Sequence, residues 1–89
     1  MKKLFELGQI GITSKADKTL SHDDILNAIL CHISGDWGDM NEDNRETNNT
    51  ALKSGGRLFS IYHDSSGTEF WIITADDRSK TMILLPEKY

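Results

Sequence analysis

Cysteine and proline are nearly absent from this 89-residue chain, which has one of each, Cys31 and Pro86. A lone cysteine excludes an intramolecular disulfide and any metal site built on paired cysteines, and it favours a reducing compartment. No apolar run approaches the roughly 18 residues of a membrane-spanning helix. The segment Met1–Glu6 also lacks the apolar run of a signal peptide. We therefore expect a cytoplasmic protein that has no membrane partner.

Clusters of basic residues are missing too. Fourteen Asp and Glu against ten Lys and Arg give a net charge of −4 at pH 7. Because phosphate contacts need grouped Lys and Arg, this balance argues against direct binding of DNA or RNA. The composition, 37% hydrophobic and 27% charged, is typical of a globular chain. The length suits a single domain over 1–89.

Signatures of enzymes and cofactors are likewise missing. There is no G-x-S-x-G nucleophile motif, and Gly55-Gly56 precedes no predicted helix, so it makes no phosphate loop. Asp76-Asp77 supplies too few separated oxygen ligands for a divalent cation. His22, His32 and His63 lack the spacing of a helical zinc pair, and we expect all three at the surface or in caps. The sequence therefore predicts no catalytic residue, no metal site and no cofactor.

Two helices are indicated by capping residues and apolar spacing. Ser21, followed by His-Asp-Asp, suits a helix N-terminus. Isoleucines at positions 25, 29 and 33 form an apolar stripe, which predicts a helix over about 22–34. A second helix, capped by Asp39 or Asn41, is expected to extend to Lys53 with a narrow apolar side.

Four strands are indicated by β-branched and aromatic residues between short polar connections. The first precedes the helices, bulges near Gly8 and is followed by a brief helical turn that ends near Lys18. Three more are predicted over 57–63, 68–74 and 80–85. The fold class is therefore α+β: a two-layer domain with an N-terminal strand, two helices and a three-stranded antiparallel meander. The N-terminal strand could pair beside either the first or the third strand of the meander.

The acidic segment, residues 36–46, is the strongest candidate for a binding surface. Its five acids accompany one basic residue, Arg45, and such a charged surface steers and selects basic partners. Trp37, between Gly35 and Gly38, suits an anchor that becomes buried on binding. The alternatives are a solvated helix face for the acids and a structural, buried Trp37 with turns at its glycines. The candidate partner-binding residues are Asp36, Trp37, Asp39, Glu42, Asp43 and Glu46.

The order of elements also resembles that of the ribosome-dependent, messenger-RNA-cleaving toxins of the RelE type. In that interpretation Arg57, His63 and Arg78 would handle phosphates and protons, together with Lys88 and Tyr89. Those toxins are usually strongly basic, whereas this chain is acidic. A ribonuclease is therefore an alternative that rests on a likeness of fold alone.

A series of short motifs runs from residue 35 to the C-terminus. The motifs are Gly35-Asp36-Trp37-Gly38, Asn49, Ala51-Leu52, Gly56-Arg57, Ser60, Tyr62, Gly67, Trp71-Ile72-Ile73-Thr74, Asp77-Arg78-Ser79, Thr81, Leu84-Leu85-Pro86 and Tyr89. Together they resemble a family of short bacterial proteins carried by plasmids, integrative elements and phages, which has an acid where this chain has Ala75. The family has no established activity, so the resemblance implies a context, that of an accessory protein of mobile DNA. Small acidic proteins of that context often inhibit host defence, as anti-CRISPR proteins do.

These expectations converge on a non-enzymatic binding protein that inhibits a nucleic-acid-handling defence system. Its partner would be a protein with a basic surface, such as a CRISPR or other defence nuclease, and would meet the acidic segment. A further alternative is a homodimeric structural or regulatory protein. In that case an open edge on the first or third strand of the meander would pair with a second copy.

Overall fold

A computed structural model describes residues 3–86 as one mixed sheet with three helices. The elements are β1 (Gln9–Ile12), α1 (Ser14–Thr19), α2 (His22–Ile33), α3 (Glu42–Ser54), β2 (Leu58–His63), β3 (Glu69–Thr74) and β4 (Lys80–Leu84). The strand order is β1-β4-β3-β2, with β1 parallel to β4 and the other pairs antiparallel. The predicted α+β class is confirmed. None of the helices within the described range is long and apolar enough to cross a membrane.

The sheet is a four-stranded mixed sheet and not a three-stranded antiparallel meander alone, because the N-terminal strand joins it beside the third meander strand, one of the two positions that the sequence left open. β1 extends it by pairing in parallel with β4, where Ile10 lies opposite Thr81 and Ile12 opposite Ile83. β4 is consequently an inner strand with neighbours on both sides. A homodimer that pairs through an open edge of the third meander strand is therefore ruled out. Local sequence patterns cannot show such pairing, because the partners are about seventy residues apart.

The helix count is three instead of two, because the brief turn after β1 is a complete short helix. The side chain of Thr13 caps it by accepting a hydrogen bond from the Ala16 backbone N–H at 3.3 Å. Ala16 and Leu20 are then buried in the core. The other two helices begin as predicted, at Ser21 and Asn41, whose side chains accept from backbone N–H groups three residues on.

The helices cover one face of the sheet, which we call the core face. A first hydrophobic cluster joins Ala16, Leu20 and Ala28 to Phe70, Ile72 and Ile83 of the strands. A second cluster lies at the β2 end and consists of Phe5, Trp37, Met40, Ala51 and Leu58. These two clusters form the interior of the domain. Their buried strand residues belong to a single alternating set, while Phe59 and Ile61 of the other set also pack against the second cluster.

The other alternating set defines the opposite face, which we call the open face. Phe59, Ile73 and Met82 lie side by side across β2, β3 and β4, and so do Ile61, Trp71 and Leu84. Leu84 is buried, and the other five side chains are half-buried. The sheet is therefore apolar on both faces.

The outer edge of β2 is covered by the chain itself. The Asn48 side-chain amide donates to the Phe59 carbonyl at 2.7 Å and accepts from the Phe59 N–H at 3.1 Å. The loop before α3 adds two more bonds, from the Ile61 N–H to the Trp37 carbonyl and from the Asp39 N–H to the Ile61 carbonyl. Because these groups are occupied, strand pairing with a second copy is blocked at these positions of the first meander strand.

A comparison of substitutions at Gly38 and Gly67 tests how closely the loop before α3 approaches β2. Both have a positive φ, of 77° and 88°, which costs a residue with a side chain about 1–2 kcal/mol. A Cβ at Gly38 would overlap the Ile61 carbonyl oxygen, whereas a Cβ at Gly67 has nothing within 4 Å. We expect Gly67→Ala to lower the free energy of unfolding by about 1 kcal/mol and Gly38→Ala by roughly 3 kcal/mol or more, by urea denaturation. Equal losses would contradict the close approach.

Candidate functional site

The acidic segment spans the loop after α2 and the first turns of α3. Glu42, Asp43 and Glu46 are exposed on that helix. Glu42 and Asp43 lie in its first turn, where negative charge interacts favourably with the helix dipole. Within residues 3–86, none of these three carboxylates is part of an ion pair. The structure thus places three of the predicted partner-binding residues on one helix. No basic side chain among the described residues forms an ion pair with them.

The two remaining acids of the candidate set are exposed but hold local structure. The Asp36 carboxylate accepts from the Gly38 N–H at 3.2 Å, and its backbone carbonyl accepts from the Tyr62 hydroxyl at 2.6 Å. The Asp39 carboxylate lies 2.6 Å from Nδ1 of His63. Asp36 and Asp39 therefore shape the loop that leads into α3 and are less suited to mutational tests of binding.

A shallow groove continues the acidic surface along α3. Its lining includes the acids Asp43 and Glu46 and the hydroxyl residues Thr47, Thr50 and Ser54. The basic residue of the segment, Arg45, is directed elsewhere, since its guanidinium donates to backbone carbonyls of the preceding loop at 3.0 and 2.8 Å. The groove thus presents acceptor oxygens and negative charge, which suits lysine or arginine side chains.

Trp37 is not an exposed anchor, and this part of the prediction is wrong. Its side chain is 2% exposed and its indole Nε1 donates to Oδ1 of Asn49 at 3.0 Å. The ring stacks on Phe5 at a centroid distance of 6.2 Å and meets the edge of His32 at 5.7 Å. The alternative interpretation was right: the tryptophan fills the space beside α2 and α3. The glycines on either side, which both have positive φ, were the signal for it.

The residues named for a ribonuclease are not brought together. Arg57 precedes β2 and His63 ends it, which separates them by about 20 Å along the strand. Arg78 serves the fold, because its guanidinium donates to the carbonyls of Gly56 at 2.6 Å and Ala51 at 3.0 Å. His63 lies between two carboxylates, 2.6 Å from that of Asp39 and 3.7 Å from that of Glu69. Lys88 and Tyr89 lie outside the described residues.

His32 contradicts the expectation that all three histidines lie at the surface or in caps. It is completely buried on α2, with Nδ1 2.6 Å from the Ser60 hydroxyl and Nε2 2.9 Å from that of Thr74. Thr74 contacts the Thr81 hydroxyl at 2.8 Å, and Thr81 donates to the Leu7 carbonyl at 2.8 Å. Because the Thr81 hydroxyl donates its only hydrogen to that carbonyl, the Thr74 hydroxyl must donate to Thr81. It therefore accepts a hydrogen bond from Nε2–H of His32. Nδ1 then accepts from Ser60, which fixes the tautomer of the ring.

The environment of His32 keeps its ring neutral. Burial, assisted by the positive charge of Arg78, lowers its pKa from 6.5 to about 4. The contact with Ser60 has the residue types of a nucleophile and a base. Both side chains are fully buried, however, so no substrate can reach them. We assign this chain of hydrogen bonds to the fold.

Many of the motif residues also serve the interior. Their side chains form the contacts Trp37–Asn49, Ser60–His32, Thr74–Thr81, Tyr62–Asp36 and Arg78–Gly56. These contacts determine how the loops and strands pack. The exposed acids of α3 are not among the motif residues. Across residues 3–86, no group of three His, Cys, Asp or Glu is placed to hold a metal ion.

Comparison with known proteins found no similar protein family, curated protein or solved structure. The resemblance of the motifs to a family carried by mobile DNA therefore stays a prediction.

The buried His32 predicts a specific pH dependence of stability. The unfolded chain takes up its proton near pH 6.5, whereas the folded chain does so only near pH 4. The free energy of unfolding should therefore fall by roughly 3 kcal/mol as the pH drops through this window, and by nothing further from this group below it. Urea denaturation at several pH values measures the fall.

The variant His32→Gln should lack this part of the slope, even if it is less stable at every pH. His22→Gln, which replaces an exposed histidine at the start of α2, is the control and should follow the parent protein. A slope in His32→Gln as steep as that of the parent would contradict the assignment.

Proposed function

We propose that this chain is a non-enzymatic binding protein of a mobile genetic element. In this proposal it inhibits a nucleic-acid-handling defence complex, such as a CRISPR or other defence nuclease. The acidic segment docks on a basic surface of that complex. The observation that carries the proposal is the set of exposed, unneutralised carboxylates of Glu42, Asp43 and Glu46 on one helix.

The helix that displays these acids is firmly attached to the sheet. Asn48, which is 2% exposed, makes two hydrogen bonds to the backbone of Phe59. The Arg78 guanidinium ties the other end of α3 by donating to the carbonyl of Ala51. A preorganised surface loses little conformational entropy when it binds, which supports a role in recognition.

The spacing of the charges suits a groove that normally holds phosphates. Glu42 and Glu46 are four residues apart and Asp43 and Glu46 three apart, so neighbouring Cβ atoms lie about 5–6 Å from each other on one side of the helix. A groove rich in Lys and Arg that binds a nucleic acid through its phosphates also attracts such a row of carboxylates. Occupation of that groove excludes the nucleic acid and so inhibits the nuclease.

The charge of α3 can be tested by reversal at three positions. We expect the triple variant Glu42→Lys, Asp43→Lys, Glu46→Lys to fold and to lose at least roughly tenfold in partner capture, because like charges then face each other across the interface. Tagged protein is incubated with lysate of the native host at low and at high salt, and recovered nucleases are quantified by mass spectrometry. The parent should recover a nuclease in stoichiometric amount at low salt and lose it at high salt.

A matched triple reversal provides the control. Asp17 and Asp23 also lie in first turns of helices, and Asp76 lies in an exposed turn. Reversal of these three to Lys gives the same net charge and a similar cost to helix dipoles, and it should leave capture intact. Equal capture by both triple variants, or no nuclease recovered by the parent at low salt, would refute the proposal.

A further inference from the structure

The two outer strands of the sheet, β1 and β2, differ in how their outer edges are covered. The edge of β2 is occupied by Asn48 and by the loop before α3. α1 follows β1 directly but packs over the inner strand β4, since Ala16 and Leu20 share a hydrophobic cluster with Ile83. The first half of β1 is exposed. The outer edge of β1 is therefore the place to look for pairing with another strand.

The hydrogen bonds between β1 and β4 show which backbone groups of β1 face outward. The N–H groups of Gln9 and Thr13 donate to the carbonyls at positions 79 and 83, at 2.9 and 3.0 Å. Because alternate residues of a strand direct their backbone groups to opposite sides, Ile10 and Ile12 direct theirs away from β4. Within residues 3–86, the N–H and C=O groups of these two isoleucines make no hydrogen bond. The edge thus presents a row of donors and acceptors without partners.

The edge also lacks the side chains by which natural proteins protect such strands from pairing. Exposed edges usually carry a charged residue, above all lysine, or a proline. β1 is Gln-Ile-Gly-Ile and contains neither, although 27% of the whole chain is charged. Ile10, at the middle of this edge, is 50% exposed and is one of the exposed large apolar residues of the domain. An uncharged, partly apolar edge of this kind is suited to pairing with a second strand.

We infer that β1 pairs in antiparallel orientation with β1 of a second copy, about a two-fold axis at Gly11 that joins the two sheets into one. In this register Ile10 of each copy lies opposite Ile12 of the other, and all of their outward N–H and C=O groups become bonded. A register shifted by two residues would instead pair Ile12 with Gly8, whose φ is 66°, or Ile10 with Ser14, which begins α1. The strand is therefore complementary to itself in one register, which is the argument for a second copy.

The side chains on both faces of β1 agree with this axis. Ile10 and Ile12 point to the core face, where Ile12 packs against the first hydrophobic cluster. Each exposed Ile10 is covered by Ile12 of the other copy, so the apolar interior continues across the dimer. On the open face the axis passes between the two copies of Gly11. A Cβ at Gly11 would lie 2.6 Å from Sδ of Met82, so the Met82 side chain already fills that space. The two methionine side chains thus meet near the axis.

The expected assembly is a closed and weak dimer. Because the outer edge of β2 is covered, pairing through β1 ends at two copies and does not build a longer sheet. β1 has 4 residues, far fewer than the roughly 20–30 that each partner contributes to a standard interface. We therefore expect a dissociation constant of about 100 µM. The acids of α3 lie beside β2, at the opposite edge of the sheet, so this inference is independent of the proposed function.

Sedimentation of the full chain from about 10 µM to about 1 mM, a range that spans this dissociation constant, tests the dimer. The parent should shift from monomer to dimer. Ile10→Lys, which places a charge on the edge, should weaken the dimer at least roughly tenfold. Leu26→Lys is the matched control: it adds the same charge at a leucine of α2 that is 55% exposed, and it should dimerise like the parent.

Ile10→Pro tests the backbone pairing itself. The N–H of Ile10 is not part of the ladder with β4, so proline at this edge position should leave the monomer folded, as measured by circular dichroism, and abolish the dimer. A parent that remains monomeric at about 1 mM would overturn the inference and leave the edge to an extended peptide of another protein. Ile10→Lys and Ile10→Pro variants that both dimerise like the parent would overturn it as well.

Disulfide formation tests the register, in a Cys31→Ser background that removes the natural thiol. Gly11→Cys should give a covalent dimer with oxidised glutathione, because the two Cα atoms at the axis are about 4.5 Å apart. Gly11 does not have a positive φ, and its Cβ would meet only the flexible end of Met82, so the variant should fold. Gln9→Cys is the control on the same edge, since the two copies of Gln9 lie roughly 13 Å apart along the strands. Equal crosslinking of both variants, or none with Gly11→Cys, would refute this register.

Discussion

The buried imidazole of His32 connects the helix layer to the sheet. Through Ser60 and Thr74 it joins α2 to β2 and β3, and through Thr81 the same chain of hydrogen bonds reaches β4 and the carbonyl of Leu7. Every member donates once along the chain, so each depends on the next. In an interior of low dielectric such a network is favourable only when it is fully satisfied. Among the described residues, no buried side-chain nitrogen or oxygen lacks a partner.

The loop after α2 depends on this centre, and the acidic segment depends on the loop. Trp37 packs against the His32 ring, its carbonyl accepts from the Ile61 N–H, and the Asp39 N–H donates to the Ile61 carbonyl at the edge of β2. The chain therefore enters α3 along a fixed path, and Asn48 attaches the helix to the same strand. A polar interior and a tryptophan flanked by glycines thus determine where the exposed carboxylates lie, although these interior groups are themselves buried.

The sequence predicted what is encoded locally. The caps at Ser21 and Asn41, the β-branched strands and the α+β class all follow from neighbouring residues, and they match the structure. What it could not predict depends on long-range pairing: β1 beside β4, the burial of Trp37, and the role of His32. A histidine on an amphipathic helix looks like a surface residue until its hydroxyl partners, 28 and 42 residues away, are known. For the acidic segment the sequence predicted exposure and charge, but not which acids also hold the loop.

The open face is the side of the sheet that carries the second alternating set of strand residues. The three helices among residues 3–86 pack on the core face. Burial of apolar surface contributes about 25 cal/mol per Å², and the partly buried Phe59, Trp71 and Ile73 show that this face of the sheet contributes to the stability of the domain as well.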